Sequence, residues 1–220
     1  KTAGTTAEPQ VSAMGAMATV DFWLMFVPKV VLFTYTQFFM NFMGQLLHSS
    51  YGYDHGAATS LAGVGQGGSV VGLLVVGNMV YKAMPPRQQH ALVAFLLLVC
   101  AVVPALLAFA PSLPFDMAPL AMPLLFCWGL AYALPFYLPP GEFAMRIGGK
   151  TASALFTNLF DAGGFTLCFF WNGWASKSTK DGDFQAVLLS QAIFGAISLL
   201  CMPLCMHRQQ AAEDAKKKAK

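Results

Sequence analysis

Few residues in this sequence are equipped for chemistry, and the sharpest is an aspartate in apolar surroundings. In "SALFTNLFDAGGF" (Ser153 to Phe165), Asp161 interrupts a run of Leu, Phe and Ala, and Asn158 stands three residues before it. A second oddity, Lys29, follows Pro28 inside "DFWLMFVPKVVLFTYTQFFMNFMGQLL", with Thr36, Gln37, Asn41 and Gln45 further along. Positions 29, 33, 36, 37, 40, 41, 44 and 45 share one helical face by the three-and-four rule. A cation, a carboxylate and a row of neutral hydrogen-bonding groups suit charge pairing and contact with a polar solute. They do not suit hydrolysis: no apolar run holds paired carboxylates, a His cluster or a nucleophile beside a base, so no enzyme is expected. Cys100, Cys127, Cys168, Cys201 and Cys205 lie inside apolar runs without ligand spacing and read as small hydrophobes. Neither a disulfide framework nor a metal or cofactor is expected.

The elements that must position these residues follow from composition. Hydrophobic residues make up 56% of the chain and charged ones 10%, whereas a soluble domain needs a charged shell of roughly a quarter of its residues. Lipid is therefore the expected solvent. A bilayer core takes roughly 20 apolar residues in a helix, and the chain offers about six such runs. They lie near Phe22 to Leu47, Ala57 to Tyr81, His90 to Ala110, Met117 to Leu138, Thr151 to Ala175 and Phe184 to Met206. Turn and breaker chemistry separates them, as in "KAMPPRQQ", "PPGEFAMRIGGK" and "SKSTKDGD". The expected fold is an all-α membrane protein of six transmembrane helices: residues 1–21 a linker, 22–207 the bundle, 208–220 a basic tail.

Basic residues set the expected orientation. Lys82 and Arg87 follow the second run, Arg146 and Lys150 the fourth, and Arg208 with the lysine tail the sixth, while the loops after runs one and three have no Lys or Arg. Both termini are therefore expected in the cytoplasm. Without interleaved aromatic residues, the tail suits anionic headgroups rather than nucleic acid.

Depth brings the two charges together. Counted from Asp21, Lys29 lies about 12 Å into the membrane, and counted from Lys150 on the same side, Asp161 lies at about 16 Å, at ~1.5 Å per residue. An unpaired charge near the bilayer centre costs at least ~2.5 kcal/mol, so a Lys29–Asp161 pair is the economical arrangement; snorkelling of Lys29 to the headgroups is the alternative. Asn158 shares the Asp161 face, with Phe165, Cys168 and Asn172 continuing it. These asparagines suit either a lined pathway or hydrogen bonds between packed helices. Trp128, Tyr132 and Phe136 recur every four residues in the fourth run, as a gate or as packing, and Pro135, Pro139 and Pro140 are expected to break or bend it. Glu142 is expected as a loop charge near Arg146. In "LAGVGQGGSVVGLLVVGN", Gly63 with Gly67 and Gly68 with Gly72 repeat at fours, which permits close helix contact.

The six runs with both ends inside, the junction "PPGEFAMRIGGKTASALFTNLFDAGGF" and the basic loop after the second run resemble the C-terminal half of a major facilitator superfamily transporter. The junction is similar to that of the organophosphate:phosphate antiporter and sugar-phosphate exchanger branch. The resemblance implies alternating access about a central site shared by two six-helix halves. It implies that the first and fourth helices line the cavity, the second and fifth face the other half, and the third and sixth are peripheral. The family's loop pattern is matched in "GNMVYKAMPPR" by Gly77, Lys82 and Arg87, but Tyr81 stands where an acidic residue is expected. The branch's phosphate-binding arginine aligns with Thr36 or Gln37, leaving Lys29 as a nearby cation without arginine's bidentate fork. The expected function is a secondary transporter of small polar or anionic metabolites, organophosphates among them. Its expected pathway is lined by Lys29, Thr36, Gln37, Asn41, Trp128, Tyr132, Asn158 and Asp161. Expected partners are a small-molecule substrate, membrane lipid and an N-terminal six-helix half, which the linker-like start at Lys1 favours. The alternatives are a half-size transporter acting as a dimer and a noncatalytic membrane scaffold.

Overall fold

A computed structural model describes residues 13–112, 114 and 117–219. Helix accounts for 91% of it, and no strand occurs among the described residues, which settles the class as all-α. The first twelve residues of the expected linker lie outside the described residues. From Ala13 the chain forms α1 (Ala13–Met17) and then α2 (Val20–Asn41). Thr19 caps α2, its hydroxyl accepting from the Phe22 amide at 3.2 Å, and Asp21 in the first turn suits the positive end of the helix dipole.

The first apolar run divides at Phe42, and α3 (Met43–Tyr51) carries it on to Gly52, whose φ of 70° makes it a left-handed cap. Asp54 then caps α4 (His55–Leu61), which leads to α5 (Gly63–Val71), a π-helical stretch Gly72–Val80 and a 3-10 turn Tyr81–Ala83. Pro86 opens α6 (Pro86–Phe109), where its missing N–H costs nothing.

The largest departure from expectation is α7. Spanning Ala118 to Ser178, it is two helices that meet at a kink at Gly149, the first continuing through most of the segment "PPGEFAMRIGGK" that its prolines and glycines mark as a loop. Pro139 and Pro140 lie inside the helix. Only Gly149, with φ 57° and ψ −157°, leaves helical geometry, because that corner of backbone space is closed to side chains with a Cβ. The final helix, α8 (Gln185–Lys218), likewise absorbs most of the expected tail.

Five of these stretches are long and apolar enough to cross a membrane: Val20–Asn41, His55–Ala83, Pro86–Ser112, Ala118–Gly149 and Gln185–Lys218. The chain is a multi-pass membrane protein. The segment beyond Gly149, the expected fifth span, is helical but not among the five. Asn158, Asp161 and Asn172, the residues that single it out, also dilute its apolar character.

Packing centres on α2, which lies against α7 and α8, while α6 packs on α8 and α5 on α7. Aromatic rings fill the middle: Trp128 meets Tyr35, Phe38 and Phe39 at centroid separations of 5.3, 5.0 and 4.9 Å. Of the two glycine repeats, Gly68 and Gly72 carry the contact with α7. A Cβ on either would strike the backbone of Phe126 or Leu130, whereas Gly63 and Gly67 have nothing within 4 Å. A polar tie missed by sequence reading joins three helices. The Tyr35 hydroxyl lies 2.7 Å from the carbonyl of Gln191 and 3.0 Å from that of Cys100, and Thr34 donates to the Gln191 side chain at 3.2 Å.

Candidate functional site

Lys29 Nζ stands 3.4 Å from Asp161 Oδ1, joining α2 to the part of α7 beyond Gly149. Two glycines bring these helices close enough. A Cβ at Gly163 would lie 2.6 Å from the Phe26 ring, and one at Gly164 would enter the ring of Phe33. "DAGG" therefore supplies both the carboxylate and the room for its helix to approach. Below the ammonium lies the Phe136 ring, 3.4 Å away at its centroid, with Tyr137 at 5.5 Å and Phe33 at 5.6 Å. Aromatic faces attract cations, so the ammonium is held by a carboxylate on one side and by ring quadrupoles on others.

Exposure is unequal across the pair. The Lys29 side chain is 7% exposed and that of Asp161 37%, so the carboxylate opens widely onto the space beside the pair while the lysine presents only a small edge to it. That space is a cavity of about 350 Å³ lined by both charges together with Phe33, Thr36, Phe136, Tyr137, Thr157 and Phe160. Thr157, one residue from Asn158, reaches the cavity, while Asn158 itself is exposed and lines none of it. A helical turn is 3.6 residues, so the three-residue offset from Asp161 rotates Asn158 off the shared line, and Thr157, at four, falls on the other side of it.

The remaining expected site residues separate into two groups. Gln37 Oε1 accepts from Asn41 at 3.0 Å and from Asn172 at 3.2 Å, and Gln45 donates to the Thr179 carbonyl at 3.3 Å. Asn41, Gln45 and Asn172, with Ser176 and Lys180 but without Gln37, border a cavity of about 370 Å³ farther along the side of α2 and α3 that faces α7. Gln37 is eight residues past Lys29, about 12 Å along the helix, so this is a second polar level and not an extension of the first. Trp128 and Tyr132 are buried in the aromatic core, and Trp128 Nε1 has no hydrogen-bond partner among the described residues. Trp128 sits at no cavity wall described above. Thr36 Oγ1 is also buried without a well-formed hydrogen bond, and it faces the Tyr132 phenol as well as the Lys29 cavity.

At the end of the bundle near the termini, Glu142 meets a partner other than its sequence neighbour. The Tyr81 hydroxyl donates to Glu142 Oε2 at 3.1 Å, while Arg146 pairs with Glu213 at 3.2 Å and donates to Gln209 at 2.8 Å. Glu142 lies in a helix and not in a loop, which aims it across at Tyr81 instead of back along the chain. Arg208 and Asp21 join α8 to α2 at 2.6 Å on the same end. Tyr81, standing where the resemblance expects an acid, thus acts as donor to an acid from α7. No family model, curated protein or solved structure matches the chain.

Proposed function

We propose that this chain is the C-terminal six-helix half of a secondary transporter that moves small polar solutes by alternating access. The segment beyond Gly149 serves as its fifth span, and the ends bearing Asp21, Arg146 and Arg208 lie in the cytoplasm. The observation that carries the reading is the Lys29–Asp161 pair. A charge pair inside an apolar bundle is costly to insert, and two apolar residues of similar shape would pack there at less cost. Its place on the wall of a cavity gives the pair a use in contacting a solute or in switching between states. The resemblance to the major facilitator superfamily supports the same reading, with the outward faces of α5 and α7 available to a second six-helix unit.

The test is uptake by the full-length protein in liposomes, measured for labelled neutral, anionic and zwitterionic metabolites. Lys29→Gln and Asp161→Asn are each expected to lower uptake by about tenfold or more, as Asp161→Asn leaves Lys29 buried and unpaired and Lys29→Gln leaves a partly open carboxylate without its counter-ion. Uptake unchanged in both variants defeats the proposal.

A further inference from the structure

The unequal burial of the two charges says which solutes the cavity can accept, an inference that rests on the transport reading above. We infer that the cavity beside Lys29 and Asp161 binds a small zwitterion, one carrying an ammonium and an acidic group. The Lys29 ammonium is itself the stand-in for the ligand's cation: it lies over Phe136 and against Asp161, the contacts by which proteins hold amines. Both charges border the cavity, the carboxylate openly and the lysine almost wholly covered, with rings around its ammonium. An arriving ammonium can therefore reach Asp161 first, and the flexible Lys29 stem lets its own ammonium give way.

Charge balance selects the zwitterion over simpler ions. A cation alone that took Asp161 would leave Lys29 charged and unpartnered, and an anion alone that took Lys29 would strand Asp161. A stranded charge is costly inside a membrane. A zwitterion inserted between the two pairs every charge: its ammonium with Asp161 and the aromatic wall, its acidic group with the released Lys29. Thr36 and Thr157, also on the cavity wall, supply neutral hydrogen-bonding capacity beside it. The volume of about 350 Å³ limits the ligand to a small molecule. Because Lys29 is a tethered competitor with a high local concentration, half-ligands bind weakly to the wild type.

Binding to the full-length protein in lipid nanodiscs tests this without requiring transport. The probes are β-alanine and glycine betaine as zwitterions, ethylammonium and propionate as half-ligands, and inorganic phosphate. Wild type is expected to bind at least one zwitterion about tenfold or more tighter than any half-ligand or phosphate. Lys29→Gln should gain affinity for ethylammonium as its internal competitor is removed, and Asp161→Asn should gain affinity for propionate. Both variants should lose the zwitterion preference. Tightest wild-type binding of phosphate or propionate, or of neither zwitterion, overturns the inference, and this comparison needs no variant to fold. Zwitterion binding without uptake of any solute would leave the inference standing and remove the transport reading. Uptake of another solute with no zwitterion binding would do the reverse.

Discussion

At the scale of single residues, the ion pair is the most consequential contact. Its energetics differ from those of a surface pair, because Lys29 is shielded by three rings and cannot recover hydration when Asp161 is removed. Asp161→Asn is therefore expected to destabilise the protein by about 2 kcal/mol, less than for a fully buried pair because the carboxylate is partly open. Adding Lys29→Gln should recover part of the loss, with a coupling of about 1 kcal/mol or more in a double-mutant cycle of thermal stability in detergent. Strictly additive losses would show that the two charges do not depend on each other. The sequence permits this pairing to be counted, since helix rise measured from each end places both charges at one depth. It does not reveal Phe136 beneath the ammonium, nor the link from Gln37 to Asn172. Those depend on how α7 is rotated about its axis relative to α2, which the periodicity of one helix leaves open. Asn158 illustrates the same limit, lying near Asp161 in sequence yet outside the cavity.

At the scale of elements, close backbone approach decides which helices touch. Gly68 and Gly72 on the α5 side, and Gly129 on α7, sit where any side chain would collide with the opposite backbone. Backbone yields less readily than a side chain, so Gly72→Leu is expected to cost about 3 kcal/mol or more, at or beyond the usual overpacking range. Gly67→Leu, facing open space, should change stability by less than about 0.5 kcal/mol. The comparison is made by melting temperature of the two variants side by side, and equal losses would mean that α5 packs by its other edge. Repeated glycines make the existence of a close contact legible, but both registers repeat at fours, and only packing chooses between them. The prolines mislead more strongly. Pro139 and Pro140 remove the donors for two carbonyls one turn earlier, a penalty that usually ends a helix, yet α7 continues through them. Packing of Phe143 and Ala144 in the core holds that turn in place against its local preference.

At the scale of the whole molecule, charged groups gather at the ends of the bundle and tie different helices together. Asp21 with Arg208 joins α2 to α8, Arg146 with Glu213 joins α7 to α8, and Tyr81 with Glu142 joins the turn after α5 to α7. If this end lies in the cytoplasm, a cysteine at Lys217 should be labelled only after a membrane-impermeant maleimide is admitted to the cell interior. A cysteine at Lys180, at the opposite end, should be labelled in intact cells, and the reverse pattern would invert the topology. Gly149 governs the arrangement in a different way. As an unbroken rod, the 61 residues of α7 would extend about 90 Å, some three times the thickness of a bilayer core. The kink that divides this length into two helices is thus written in the dihedral angles of one residue. Replacing Gly149 by any residue with a Cβ would strain that kink, and with it the placement of everything downstream, Asp161 included.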